Sequence, residues 1–265
     1  MIRPARTTDY DAFATLHREL GLEQAPPSRE RFTTDIVHST FVDDGDGRVD
    51  GYVQFHTLGT IGYVRQLVVS KDARGRGKGA GLMRHAAASL RGAGVAEWHL
   101  NVKTSNTPAI RLYEQLGLRA EHSSTALRLP WSTVFALPWE PAAALPVAPE
   151  EDEDLERSLD LLTGQIAMAR RRTSHILRQL RAADCAPVGF ASFDPDVPGA
   201  RIFRVARPAL AGTLLRALRP HARHEDLALV VDDDDTVTEL LVTQGAIVKV
   251  RLMHYTGQLA ELADL

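Results

Sequence analysis

The chain has one cysteine, Cys185, in 265 residues, so no disulfide can close within it and no oxidising compartment is implied. Neighbours Asp184, Ala186 and Pro187 give that thiol no activating partner. No stretch approaches the roughly 20 apolar residues of a membrane span, and the start, Met1 to Arg6, leads into a polar helical pattern rather than an apolar leader core. Excess positive charge is also missing. A net charge of −3 with 25% charged residues supplies no bulk attraction to nucleic acid or to an anionic membrane. No nucleic-acid or membrane partner is therefore expected, and a cytoplasmic protein is the default. A Gly-x-Ser-x-Gly nucleophile turn is absent. Asp232 to Asp235 lacks the spacing and central glycine of a calcium loop and suits a helix start. His221 and His224 have no evident further ligands, so no metal is expected.

What the chain does have is Arg74-Gly75-Arg76-Gly77-Lys78-Gly79, between an extended apolar run ending Leu67-Val68-Val69 and a helical pattern from about Leu82. Alternate glycines let successive amides turn to one point, where the next helix adds its own free N–H groups and positive dipole end. Such a loop suits a pyrophosphate. A Walker loop would need Ser or Thr after Gly77-Lys78, and Gly79 stands there. The dinucleotide fingerprint matches Gly75, Gly77 and Ala80 literally, but Ser70 to Arg74 separate it from its strand, and Glu97 does not close a strand as that fold's acid does.

The remaining pattern, Arg74-x-x-Gly77-x-Gly79 after a strand, resembles the coenzyme A loop of the GNAT superfamily of N-acetyltransferases. The next segment strengthens the resemblance: a strand Glu97 to Val102, then Asn106, Pro108, Leu112-Tyr113-Glu114 and Gly117. The resemblance covers residues 1 to about 138. It implies acetyl-CoA as cosubstrate, held by Leu67, Val68 and Val69 through the main chain, by Arg74, Gly75, Arg76, Gly77, Lys78, Gly79 and Ala80 at the pyrophosphate, and by Asn106 and Tyr113. It implies direct attack by an amine, with the Val69 amide holding the developing oxyanion and Tyr113 donating to the departing thiolate. The acceptor, small molecule or protein, is not legible. Some relatives carry a Glu base four residues before the first pantetheine contact; Tyr63 stands there, leaving His56, His99 and Glu19 as candidates by region.

Five prolines from Pro130 to Pro149 suggest a linker at 139–149, between a GNAT domain at 1–138 and a second domain at 150–265. The second half reads as a decayed copy. Gly189 to Phe193 matches Gly51 to Phe55, Leu214-Leu215-Arg216 matches Leu82-Met83-Arg84, Leu227 to Val231 matches Trp98 to Val102, and Leu240-Leu241 with Gly245 matches Leu112-Tyr113 with Gly117. Its loop, Pro208 to Gly212, has one glycine, and Leu241 replaces Tyr113, so this copy is expected to bind no coenzyme A and to shape the acceptor side. Arg170 to Arg172, with Arg178 and Arg181 on the same expected helix, read as a solvated face. The expected fold is α/β with a mixed sheet: a GNAT fold followed by a degenerate GNAT-like domain. The expected function is acetyl-CoA-dependent N-acetyl transfer; the alternatives are a non-catalytic acetyl-CoA sensor and a protein-interaction module.

Overall fold

A computed structural model describes residues 1–21, 25–45, 47–58, 61–172, 174–196 and 199–262. The chain forms two compact units, one of Met1–Glu121 with the stretch from Met253 onward, the other of His122–Leu252. The first contains β1 (Ile2–Pro4), α1 (Tyr10–Arg18), α2 (Arg29–Arg31), β2 (Thr40–Gly45), β3 (Arg48–Leu58), β4 (Ile61–Val69), α3 (Lys78–Gly92), β5 (Glu97–Lys103), α4 (Thr107–Gln115) and the first residues of β6 (Arg119–Pro130). β1 to β4 pair antiparallel in sequence order, and β4 pairs parallel with β5, the two joined by α3.

Alternation along the strands divides the apolar side chains between two faces. One face carries Tyr52, Val42 and Val68 against Phe13 and Leu16 of α1 and Phe32. The other carries Val53, Val64, Trp98 and Leu100 against Leu82, Met83, Ala86 and Leu90 of α3. That four-residue helical spacing on α3 was legible in the sequence. Val64 and Val68 are four apart on one strand yet face opposite ways. The register slips between Gln54 and Phe55, which pair with Gln66 and Val64, so Arg65 is a bulge that reverses the parity.

The second unit holds α5 (Trp131–Ala136), β7 (Ala143–Pro146), α6 (Asp152–Ser158), α7 (Gln165–Arg170), β8 (Ile176–Arg181), β9 (Pro187–Asp194), β10 (Gly199–Val205), α8 (Leu210–Leu218), β11 (Asp226–Asp232), α9 (Asp235–Thr243) and the start of β12 (Ile247–Gln258). Its strand order, β7-β8-β9-β10-β11-β6, repeats the logic of β1 to β5, with β10 parallel to β11. Leu210, Leu214, Leu215 and Leu218 of α8 fill one face, while Leu155, Leu159 and Ile166 pack with Phe190 on the other.

Each repeat's last strand leaves its own unit. Ser124–Pro130 of β6 pair antiparallel with β11 of the second unit. Residues of β12 from Met253 belong to the first, where Tyr255 and Leu259 lie in the core with α3 and α4. Gly257 is required there, because a Cβ would come 2.9 Å from Trp98 Nε1 and 3.2 Å from Leu118.

Two sequence expectations need correction. The proline-rich segment at 139–149 is not free chain, since Ala143–Pro146 pair with Arg178–Arg181 and Glu140 bonds Thr213. Proline is tolerated because β7 ends the strand order of its unit. The two compact units are bounded at Glu121 and Leu252. Arg178 and Arg181 lie on β8, not on the helix that ends at Arg170; the alternating burial of Leu177 and Gln179 marks a strand. The acidic helix starts hold: α6 opens on Asp152, and Asp234 caps α9 by accepting from Val237 N–H.

Candidate active site

β4 is paired along its length with β3, but with β5 only from Ile61 to Val64. Beyond the Arg65 bulge, one edge of β4 has no strand partner among the described residues. Which amides face that edge follows from ladder parity. Ser70 N–H bonds Asp50 C=O at 2.8 Å, so Ser70, Val68 and Gln66 direct their main-chain groups into β3. Leu67 and Val69 direct theirs to the open edge. Arg74 Nε reaches the Val69 carbonyl from that side, at 3.0 Å. Of the three main-chain contacts expected from sequence, Val68 is thus turned away. Its side chain is buried against α1.

The glycine loop opens α3. Gly75 and Gly77 both have φ of +74°, and a Cβ on either would meet nothing within 4 Å, so the space before them is open. Gly77 caps α3, and the first bond across the start is Gly81 N–H to Gly77 C=O at 3.0 Å. The amides of Lys78, Gly79 and Ala80 are left as helix-terminal donors without an acceptor one turn back. Gly79 has a different reason: its Cβ would sit 3.3 Å from Leu112 and 3.7 Å from Val69, so it lets α3 approach α4 and β4.

The loop's cations are less available than the sequence suggests. Arg74 is held by Val69 C=O and by Glu19 Oε2 at 3.0 Å, and the same Glu19 oxygen accepts from Lys71 N–H. Lys78 Nζ lies 2.8 Å from Asp43 and 3.1 Å from Asp50, which raise its pKa. Arg74 and Lys78 brace the loop's shape, Arg76 is exposed, and the donors left open at the loop are chiefly backbone amides.

Asn106 caps α4 through its side-chain oxygen to Ala109 N–H, with Pro108 in the first turn. Tyr113, 7% exposed on α4, has its ring centroid 6.4 Å from that of Tyr255. Burial pushes its pKa up to about 12. Its hydroxyl bonds no described residue and stays protonated at neutral pH.

The base candidates separate clearly. Glu19 is committed to Arg74 and Lys71. Tyr63 is a poor base, its pKa raised by burial, and its oxygen accepts from Asn101 Nδ2 at 3.0 Å. His99 Nδ1 lies 2.9 Å from His254 Nε2. His56 is opposite Tyr63 on β3, with ring centroids 5.8 Å apart, and its pKa is lowered by burial and by Arg65. It is neutral at pH 7 and shares the α1-bearing face with Tyr52.

Sequence reading missed the group around His254. His99, Glu121 and His254 bring one ligand-type atom each within 4.8 Å of one another. His99 and His254 are 155 positions apart, and only the transfer of β12 into the first unit joins them. No local motif could have signalled it.

The second unit repeats the strand separation without the loop. Among the described residues β10 pairs with β11 at Gly199 and Ala200, yet α8 begins at Leu210 behind Pro208, with no left-handed glycine from Ala206 to Ala209. Gly212 serves packing, since its Cβ would meet the Pro138 carbonyl at 2.3 Å. No described residue belongs to a helix long and apolar enough to cross a membrane.

Residues 10–118 match the model of the acetyltransferase (GNAT) family. An N-alpha-acetyltransferase of Sulfurisphaera tokodaii is 29% identical over 137 residues, 44% of this chain and 79% of that protein. Among solved structures, a GCN5-related N-acetyltransferase from Sphaerobacter thermophilus superposes with a TM-score of 0.65 at 17% identity, covering 98% of this chain and 95% of that one. A tandem GNAT protein from the clavulanic acid biosynthesis pathway gives 0.59 at 18% identity, covering 98% of both chains. The two structural likenesses concern the fold.

Proposed function

We propose, from the chain's membership of the GNAT superfamily of acetyltransferases, that its first unit transfers the acetyl group of acetyl-CoA to a primary amine and that its second unit binds no coenzyme. The observation that carries this reading is the coincidence of two features: the Leu67 and Val69 amides on the unpaired edge of β4, and the open glycine cradle at the start of α3. Both fit the cosubstrate. The cradle offers a pyrophosphate amides from Gly75 to Ala80, and the strand edge offers an extended amide-bearing arm the pairing that β5 withholds.

Acetyl-CoA, when bound, supplies an acetyl group activated as a thioester. The Val69 N–H then holds the carbonyl oxygen as it gains charge, a contribution of about 3 to 4 kcal/mol in comparable sites. The Tyr113 hydroxyl hydrogen-bonds the departing sulfur. With its pKa pushed up to about 12 and an ordinary thiol near 8.5, full proton transfer is uphill by roughly 5 kcal/mol, so stabilisation by a hydrogen bond is its role. The amine's proton leaves through a chain of waters, which neutral His56, five residues along β3 from the residue opposite Val69, can accept from. Asn106 caps α4 and fixes Tyr113's helix. The curated relative's name makes an α-amino group the first acceptor to test. We place the activity in the cytoplasm, where acetyl-CoA is made available to a protein with a free exposed thiol.

The test is acetyl-CoA-dependent thiol release with pools of peptides bearing free α-amines, polyamines and amino sugars. Release that depends on one acceptor class supports transfer. Tight acetyl-CoA binding with no release across all pools would favour a non-catalytic sensor instead.

A further inference from the structure

The hydrogen bonds around His254 fix its tautomer and leave the neighbouring histidine with an unmet need. Asn101 donates its Nδ2–H to Tyr63 Oη at 3.0 Å, so its oxygen is the acceptor toward His254 Nδ1 at 2.9 Å. His254 therefore carries its proton on Nδ1 and turns the Nε2 lone pair to His99 Nδ1. If neutral His99 donates from Nδ1, its Nε2 is an unprotonated lone pair, buried, without a hydrogen-bond partner among the described residues and 3.6 Å from Glu97 Oε1. A lone pair facing a carboxylate is unfavourable, and one added positive charge would relieve it.

The geometry points to a divalent transition-metal site, zinc by its chemistry, held by His99 Nδ1, His254 Nε2 and Glu121 Oε2. With a cation between them, both lone pairs converge on it, and His99 turns an Nε2–H to Glu97. Each imidazole then has the partner on its far nitrogen that metal-bound histidines usually have, Asn101 for His254 and Glu97 for His99. The two facing nitrogens are 2.9 Å apart, near the about 3.3 Å that two ligands at ~2.05 Å span on a tetrahedral zinc. Glu121 Oε2 lies 3.7 Å from His254 Nε2. Two imidazoles and a carboxylate suit zinc better than magnesium or calcium, and three protein ligands leave a fourth position for water. The ligands come from β5, β6 and β12, so the metal would clasp the C-terminal strand to the first unit.

The full-length chain, stripped with a chelator and checked by circular dichroism, is titrated with cobalt(II) for its visible absorption and with zinc(II) by calorimetry. One equivalent of each is expected, with zinc raising the melting temperature. Glu121→Gln removes a half-exposed ligand with little risk to folding and should weaken binding by tenfold or more. Asn101→Ala, which frees the His254 tautomer without removing a ligand, should weaken it less. The absence of stoichiometric binding, or equal binding by a folded Glu121→Gln/His99→Gln variant, overturns the site. So does a melting temperature that tracks pH through the histidine range and ignores zinc, because the added charge is then a proton.

Discussion

Gly77→Ala separates the backbone demand of the glycine loop from its binding role. Gly77 has φ of +74° and open space where a Cβ would stand, so alanine meets no neighbour and the fold loses only the left-handed penalty, about 1 to 2 kcal/mol. For a chain of this size that is about 2 to 8 °C in melting temperature. Gly94, just beyond the far end of α3, has φ of +78° and the same open space, so Gly94→Ala is a matched control with the same penalty. The ligand response divides them. Acetyl-CoA at 100 times its Kd stabilises wild type by about 2.7 kcal/mol, or about 5 to 11 °C. A methyl in the cradle that displaces two charge-assisted amide contacts weakens binding roughly 100-fold, which leaves about 0.4 kcal/mol, a shift of about 1 to 2 °C. Differential scanning fluorimetry of both variants with and without acetyl-CoA reads this directly. Equal ligand shifts in Gly77→Ala and Gly94→Ala would refute the loop's assignment.

Tyr113→Phe keeps the buried ring and removes the hydroxyl, so kcat should fall by roughly 10²- to 10⁴-fold with acetyl-CoA affinity little changed; unchanged kcat returns Tyr113 to the core. Because burial lowers the His56 pKa, its neutral, base-competent form persists below the usual histidine range, and the acid limb of kcat/KM should lie below pH 6.5 and change in His56→Gln, provided the acceptor amine's own titration is separated. Buried His17 and half-buried His85 also have lowered pKa values, so their contribution to stability is complete above pH 6.5 and lost as pH falls; the melting temperature should drop between about pH 6.5 and 5, and a flat profile would contradict those assignments. Ending the chain at Leu252 removes Tyr255 and Leu259, 4% and 0% exposed, a loss of roughly 1.5 to 3 kcal/mol each, so hydrogen exchange in α3 and β5 should accelerate sharply.

Much of the first unit was written locally. The apolar spacing of Leu82, Ala86 and Leu90, the glycines before it and the Asn106-Pro108 helix start each report on neighbours in sequence, and α3 and α4 form where they indicate. The repeat was legible too, since β3 and β9, α3 and α8, β5 and β11, and α4 and α9 stand in matching order. What the sequence did not show depended on distant partners. Residues 139–149 resembled a linker because prolines deny hydrogen bonds, but β7 needs few on its outer edge. Glu19 pairs with Arg74 and Asp43 with Lys78, and neither pairing has a sequence signal. The departure of β12 from its own repeat was likewise invisible, and with it the surroundings of His99.

The central claim is one competent cradle per chain, in the first unit. Isothermal titration of the full-length protein with acetyl-CoA should give one site per chain in wild type and a loss of roughly 100-fold in affinity for Gly77→Ala. Two sites per chain, or no heat at millimolar acetyl-CoA, would contradict the account.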